Sequence, residues 1–379
     1  MSGPFDFDTL IDRSDTASLK WNLYGNDVLP LWVADMDFAV PPAVAAVVEA
    51  FAAHRIYGYS RVPPSLVEAI VEYLHRRYGW SVEPDHLVFT PGIVPALNVV
   101  CRAYAEAREA VMTITPAYPP FLEAPPFQDR VLQTVPAELH DGRWRLPLEA
   151  MEATVTPQTR ILFFCHPHNP LGRAWEDDEI QAVVDYCARH DLVLCSDEIH
   201  CDLILDEHAH VPAALADQAG AARVVSLMAP SKTFNLPGLN LGFAVIPDQD
   251  LRRRFTHAAR GLFPLPGCFA VVATEAAYRD GDEWLRALLD YLRGNRDAVR
   301  EWVDAASPGI TMTHVEATYL AWLDVRGLGV ADPAGMFEAA GVGLSDGKVF
   351  GAPGFLRLNF GCPRGLLDEA LGRMATALR

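Results

Sequence analysis

Lysine is nearly missing from this chain. Of 31 basic residues only three are lysine (Lys20, Lys232 and Lys348), and the rest are arginine. Where positive charge alone is needed, arginine supplies it. Each remaining lysine therefore calls for a reason that a guanidinium cannot meet. Positive charge is short altogether: the formal net charge is −18. A field of that sign repels phosphate and argues against nucleic acid or an anionic membrane as a partner. Long apolar runs are also missing, since none approaches the roughly 18 residues that a membrane span needs. The opening stretch "MSGPFDFDTLIDR" is acidic and has no cationic, apolar leader, so a cytoplasmic protein is expected. A disulfide frame is absent as well. The seven cysteines are odd in number and scattered through apolar contexts, as reduced core thiols are.

What is present is a repeating grammar. "RILFFC" (160–165), "LVLCS" (192–196) and "RVVSLM" (223–228) each read as a strand buried on both faces. Their spacing of about 30 residues is that of a βαβ unit. Between the first two, Ile180, Val183, Val184 and Cys187 recur at helical spacing behind acids that suit a helix N-terminus. An earlier unit pairs "HLVFT" (86–90) with a helix carrying Ala96, Val99, Val100 and Ala103 on one face. The pattern predicts an α/β fold with a mostly parallel central sheet flanked by helices. We assign residues 40–260 to this large domain. "GLFPLPG" then breaks the pattern. A long helix follows over 283–303, and "ATYLAWLDV" and "FLRLNF" read as strands of an antiparallel sheet. Residues 261–379, joined by 1–39, are expected to form a smaller α+β domain.

In open α/β sheets, ligands bind beyond the carboxyl ends of the strands. Here those ends are followed by "HPHNPLGR", "DEIHCD", "APSKTFN" and "PGIVPA". They deliver Asn169, Asp197, His200, Ser231 and Lys232 together with the free N–H groups of a helix start. Singly, each has an ordinary structural reading, such as a turn asparagine, a loop acid or a core histidine. Their placement at successive strand ends is what points to one crevice.

Taken together, "NPLG", "SDEIH" and "SKTFN…GL" resemble the fold-type I pyridoxal-phosphate (PLP) enzymes, the aspartate aminotransferase superfamily. "LWVADMDF", "YGYS", "TPG", "APSKTFNLPGL", "ATYLAWLD" and "LSDGKVFGAPGFLRLNFGCPR" are similar to one branch, the MalY/PatB-type cystathionine β-lyases or C–S lyases. The resemblance covers nearly the whole chain. It implies the aspartate-aminotransferase-like fold, PLP as cofactor, a small amino-acid substrate and a homodimer with shared active sites.

The same resemblance implies roles. Lys232 is expected to form the Schiff base with the cofactor aldehyde, which requires a primary amine that arginine lacks. Asp197 is expected to pair with the pyridine nitrogen, and Asn169 to hydrogen-bond the 3-hydroxyl oxygen. Tyr118 in "TPAYPPF" matches the aromatic that stacks on the ring. The phosphate is expected at the helix opening after Gly92, on the N–H groups of Ile93 and Val94, with Ser231 adding a hydroxyl. Tyr59 matches a tyrosine that reaches the neighbouring subunit's phosphate. Arg357 matches the clamp on the substrate α-carboxylate. Asp37 in "ADMDF", Tyr57 and the "GLFPLPG" break are candidates for shaping the leaving-group pocket.

Two positions depart from many aminotransferases. Asn240 stands where they carry a phosphate-binding arginine, and His200 where they carry a tyrosine. Both departures resemble the C–S lyase branch, so β-elimination from cystathionine or another cysteine S-conjugate is the expected reaction. A PLP-dependent aminotransferase is the first alternative. A lyase-fold protein that binds a regulatory partner is the second. "CHPHN" and "HCDLILDEHAH" gather possible metal ligands, but their spacing fits no usual zinc pattern, and no metal is expected.

Overall fold

The computed structural model describes residues 4–217, 222–306 and 309–379. Its centre is a seven-stranded sheet. In spatial order the strands are Leu87–Thr90, Gly242–Val245, Arg223–Met228, Val193–Asp197, Thr159–Cys165, Ala110–Thr115 and Val131–Pro136. The last five run parallel to one another. Gly242–Val245 runs antiparallel to both of its neighbours. The three apolar runs singled out in the sequence fall in adjacent positions. Ile161, Phe163, Leu194, Cys195 and Val225 are wholly buried there. This matches the near-continuous hydrophobicity of strands covered on both faces, each large side chain contributing about 1.5–3 kcal/mol on burial.

The helices follow their sequence periods. Ile93–Tyr104 buries Ala96, Val99, Val100 and Ala103. Asp177–Arg189 buries Ile180, Val183, Val184 and Cys187, and its first turn is closed by a capping box between Glu176 and Glu179. The long C-terminal helix runs over Asp282–Ala306, through Gly294. Its apolar stripe of Leu285, Leu288, Leu292, Val299 and Val303 is buried, and this packing outweighs the roughly 1 kcal/mol that an interior glycine costs relative to alanine. No helix among the described residues is long and apolar enough to cross a membrane.

A second sheet orders Thr311–Met312, Leu320–Asp324, Phe355–Asn359 and Ser345–Asp346, all antiparallel. The amino-terminal segment reaches this region. Leu29–Pro30 pairs in parallel with Val342–Gly343, and Leu31 N–H donates to Gly343 O at 2.8 Å. Residues 32–38 then leave regular structure and pass between the two sheets' functional ends.

Candidate active site

The carboxyl ends of the parallel strands do converge. A cavity of about 300 Å³ is lined by Gly92, Ile93, Val94, Tyr118, Asn169, Asp197, His200, Ser231, Lys232 and Arg357, together with Val33, Ala34, Cys165 and Asn240. Each side chain arrives from a predictable place. Asp197 ends its strand, and His200 lies in the turn just beyond. Ser231 and Lys232 sit in the single helical turn Pro230–Thr233 that follows Met228. Gly92 caps the helix Ile93–Tyr104 with φ +120°, a conformation that only glycine adopts readily, and no side chain occupies that helix start. The first-turn N–H groups are thus left for an anion.

The electrostatics are those of a site awaiting a charged guest. Burial pushes the Asp197 carboxyl up to about 7, against the opposing pull of the Ile199 N–H and the Lys232 charge. Its Oδ1 accepts from Ile199 N–H at 3.1 Å. A buried acid of this kind is suited to a cationic partner such as a protonated ring nitrogen. Burial first, and then the Arg357 charge, brings the Lys232 amine down to about 8, while Asp35 and Asp197 oppose that shift. His200 is buried with Nδ1 unpartnered, and burial holds its ring well below the usual imidazole range. Arg357 is buried over the Phe350 ring at 4.7 Å, and burial brings its guanidinium down to about 10. Its Nη1 donates to Asn169 Oδ1 at 3.0 Å and its Nη2 to Trp32 O at 2.9 Å, while Nε has no partner. The orphaned His200 nitrogen, the Asp197 carboxyl without an ion-pair partner among the described residues and the open helix start fit the PLP expected from the sequence, and the orphaned Arg357 Nε fits the substrate carboxylate. Tyr118 is half-buried at the cavity wall, and burial raises its phenol.

Three sequence candidates lie elsewhere. Tyr59 is fully exposed. Tyr57 is also exposed, with its hydroxyl on Ala52 O at 2.8 Å and its ring against Phe269 at 5.2 Å. Asp37 is buried, and both of its oxygens accept from neighbouring side chains. Its Oδ2 accepts from Lys20 Nζ at 2.6 Å, and its Oδ1 from Arg13 Nη1 at 3.0 Å and Trp21 Nε1 at 2.8 Å. Both Asp37 oxygens are thus engaged, in a buried ion pair with Lys20 and in contacts with Arg13 and Trp21.

That ion pair supports the strap of residues 32–38, whose backbone contacts with the site residues the sequence did not reveal. Its consecutive carbonyls rest on side chains from distant segments. Trp32 O accepts from Ser345 Oγ at 2.7 Å as well as from Arg357. Val33 O and Asp35 O share Asn359 Nδ2 at 2.6 and 2.7 Å. Ala34 O accepts from Lys232 Nζ at 2.5 Å and from the Tyr319 hydroxyl at 3.0 Å. Asp35 O also takes Lys20 Nζ at 3.0 Å, and Met36 O takes Asn235 Nδ2 at 3.0 Å. The signals available were the motif "LWVADMDF", which is the strap itself, and Asn235 in "SKTFN", a motif position left without a role.

Known proteins resemble this chain over nearly its whole length. The family model for aminotransferase class I and II matches residues 26–374. Cystathionine beta-lyase PatB of Bacillus subtilis (strain 168) is 34% identical, over 98% of this chain and 100% of its own length. The crystal structure of OvoB superposes with a TM-score of 0.96 at 43% identity, over 99% of both chains. The PLP-bound C-S lyase from Staphylococcus hominis gives a TM-score of 0.92 at 30% identity, over 100% of this chain and 99% of its own.

Proposed function

The chain belongs to the aminotransferase class I and II family, and from that membership we propose that it is a PLP-dependent C–S β-lyase acting on L-cystathionine or related L-cysteine S-conjugates. The observation that carries this reading is the meeting of Lys232, Asp197, Asn169 and Arg357 in one cavity, in a chain similar over its whole length to C–S lyases.

Lys232, Asp197, Asn169, Tyr118 and His200 would hold the cofactor's ring, and its phosphate would take the N–H groups of Ile93 and Val94 and the Ser231 hydroxyl. When bound, the cofactor supplies an electron sink for the pair left at the substrate Cα. This chain's residues do the rest. Arg357 receives the α-carboxylate through paired N–H donors, and Asn169 and Trp32 O hold that guanidinium in its plane. Lys232 takes the Cα proton, and a low-lying amine is the form that can do so near neutral pH. Asp197 would face the ring nitrogen, where its negative charge would favour the protonated form of the ring. The Cβ–S bond then breaks, the thiolate leaves with the electron pair, and the 2-aminoacrylate product is hydrolysed to pyruvate and ammonia.

Two further elements belong to this reading. A fully exposed Tyr59 beside exposed Ile56 and Tyr57 suits a surface covered by a second copy, whose phosphate site Tyr59 would complete. We also propose that residues 40–260 form the cofactor domain, and residues 1–39 with 261–379 the smaller one. Seven free thiols, six of them buried, suit a reducing cytoplasmic setting.

The deciding assay incubates the holoenzyme with L-cystathionine and no keto acid. Pyruvate, ammonia and thiol are expected in equal amounts over many turnovers. Conversion of the cofactor to its amine form without pyruvate would instead identify an aminotransferase.

A further inference from the structure

Lys232 is fixed to the strap at both ends of its own segment. Its amine donates to Ala34 O. Three residues on, Asn235 clasps the strap with three hydrogen bonds. Its Nδ2 donates to Met36 O at 3.0 Å and Phe38 O at 2.8 Å, and its Oδ1 accepts from Met36 N–H at 3.1 Å. Asn235 holds φ +56° to do so, a left-handed conformation that asparagine tolerates better than most residues. The lysine stem and the acceptor of its amine are therefore parts of one bonded unit.

Ala34 O is buried and has two lone pairs. The buried Tyr319 hydroxyl takes one at 3.0 Å, leaving the other for Lys232. A buried carbonyl that loses its only donor is left desolvated and unpaired, so a lysine that must leave and return would repeatedly orphan this oxygen if it stood alone. Tyr319 removes that cost, because the oxygen keeps one donor throughout. Asn359, donating to the carbonyls on either side, stops the peptide from rotating.

We propose that the Ala34 carbonyl is the dock to which the Lys232 amine returns whenever it is free, and that Tyr319 is a positioning residue for Lys232 acting through that oxygen. This deepens the lyase reading only in assigning the amine's departures to catalysis. The geometry of the dock is independent of it.

The test uses Tyr319→Phe, which keeps the buried ring and removes one hydroxyl. In the cofactor-free chain, acylation of each lysine by acetic anhydride is followed by mass spectrometry as a function of pH. Three lysines make the assignment direct, and exposed Lys348 is the internal reference. The groups facing Lys232 are Asp35, Tyr118, Asp197, His200, Tyr319 and Arg357. Only Tyr319 is changed. Without the tyrosine donor the whole Ala34 oxygen is left to the charged amine, and the Lys232 midpoint is expected to rise by about 0.3–0.5 pH unit with that of Lys348 unmoved. In the holoenzyme, kcat is expected to fall about fivefold, the scale of one neutral hydrogen bond, with KM within about twofold. Asn359→Leu, which frees the flanking carbonyls and lets the Ala34 oxygen turn from the amine, is expected to move the midpoint in the opposite direction. A Tyr319→Phe chain that loses thermal stability but keeps the native midpoint and kcat would reduce Tyr319 to a packing residue and overturn the proposal. Because the acylation readout needs no substrate, a failed pyruvate assay would sink the lyase reading and leave this result standing.

Discussion

Lys20 and Lys232 donate to neighbouring carbonyls of the same strap, yet their surroundings differ. Lys20 is wholly buried and holds Asp37 at 2.6 Å, with Asp35 Oδ1 at 3.7 Å. Lys232 is partly buried, meets no carboxylate at ion-pair distance among the described residues, and faces Arg357. A buried lysine with an acid beside it is a structural cation. A lysine drawn out of water beside an arginine's charge, with no carboxylate at ion-pair distance among the described residues, is an amine that can be deprotonated near neutral pH. Burial alone therefore does not make a lysine reactive. Reactivity comes from withholding the paired acid.

The contrast can be tested from its strongest point downward. Lys232→Ala is expected to lower kcat/KM for pyruvate formation by about a thousandfold or more and to abolish the visible absorbance of the lysine-bound cofactor. Retained absorbance would mean that another amine holds the cofactor. Lys20→Met leaves Asp37 buried with Arg13 as its remaining cation, and unfolding free energy is expected to fall by about 3 kcal/mol in urea titrations. The absorbance should persist in this variant, and pairing Lys20→Met with Asp37→Leu should restore most of the loss. If Lys20→Met cost nothing, the ion pair would not be what holds the strap. Arg357→Lys keeps the charge but loses the planar fork, so KM for the amino acid should rise about 10–100-fold with a smaller change in kcat. An unchanged KM would remove Arg357 from the carboxylate site.

The smallest effect is on stability against pH. The Lys232 amine is lowered to about 8 in the folded chain from 10.5. Below pH 8 both states carry its proton, and the folded state bears the full cost of the buried charge. Between pH 8 and 10.5 the unfolded chain binds more protons, so the stability of the cofactor-free protein should rise with pH. Relative to Lys232→Met, its thermal midpoint should climb across that window. A flat difference would show that the amine is not depressed.

Much of this was legible in the sequence. Buried parallel strands are apolar throughout and recur at a fixed spacing, so Thr159–Cys165, Val193–Asp197 and Arg223–Met228 could be read directly. The residues following them could be placed at the cavity because strand direction fixes where strand ends lie. The reversed strand Gly242–Val245 could not, since four apolar residues carry no sign of direction. The strap's contacts were hidden for a different reason. Its order comes from Lys232, Tyr319, Asn359 and Arg357 reaching backbone oxygens, which have no residue identity and leave no pattern in the sequence. The partners of Asp37 were hidden for the same cause. "ADMDF" shows an acid near the site but not the Lys20, Arg13 and Trp21 donors that saturate it.

The parallel pairing of Leu29–Pro30 with Val342–Gly343 has a consequence for how the enzyme comes into being. The strap emerges early from the ribosome, but Tyr319, Arg357 and Asn359 emerge at the end of synthesis. At translation speeds of 5–20 residues per second, Arg357 follows Lys232 by about 10 s. During that interval the nascent chain can build its parallel sheet and expose Lys232, with neither the carboxylate clamp nor the dock in place. The lysine is thus made first and disciplined last, and chains truncated near the carboxyl terminus should retain the sheet while losing control of its one reactive amine.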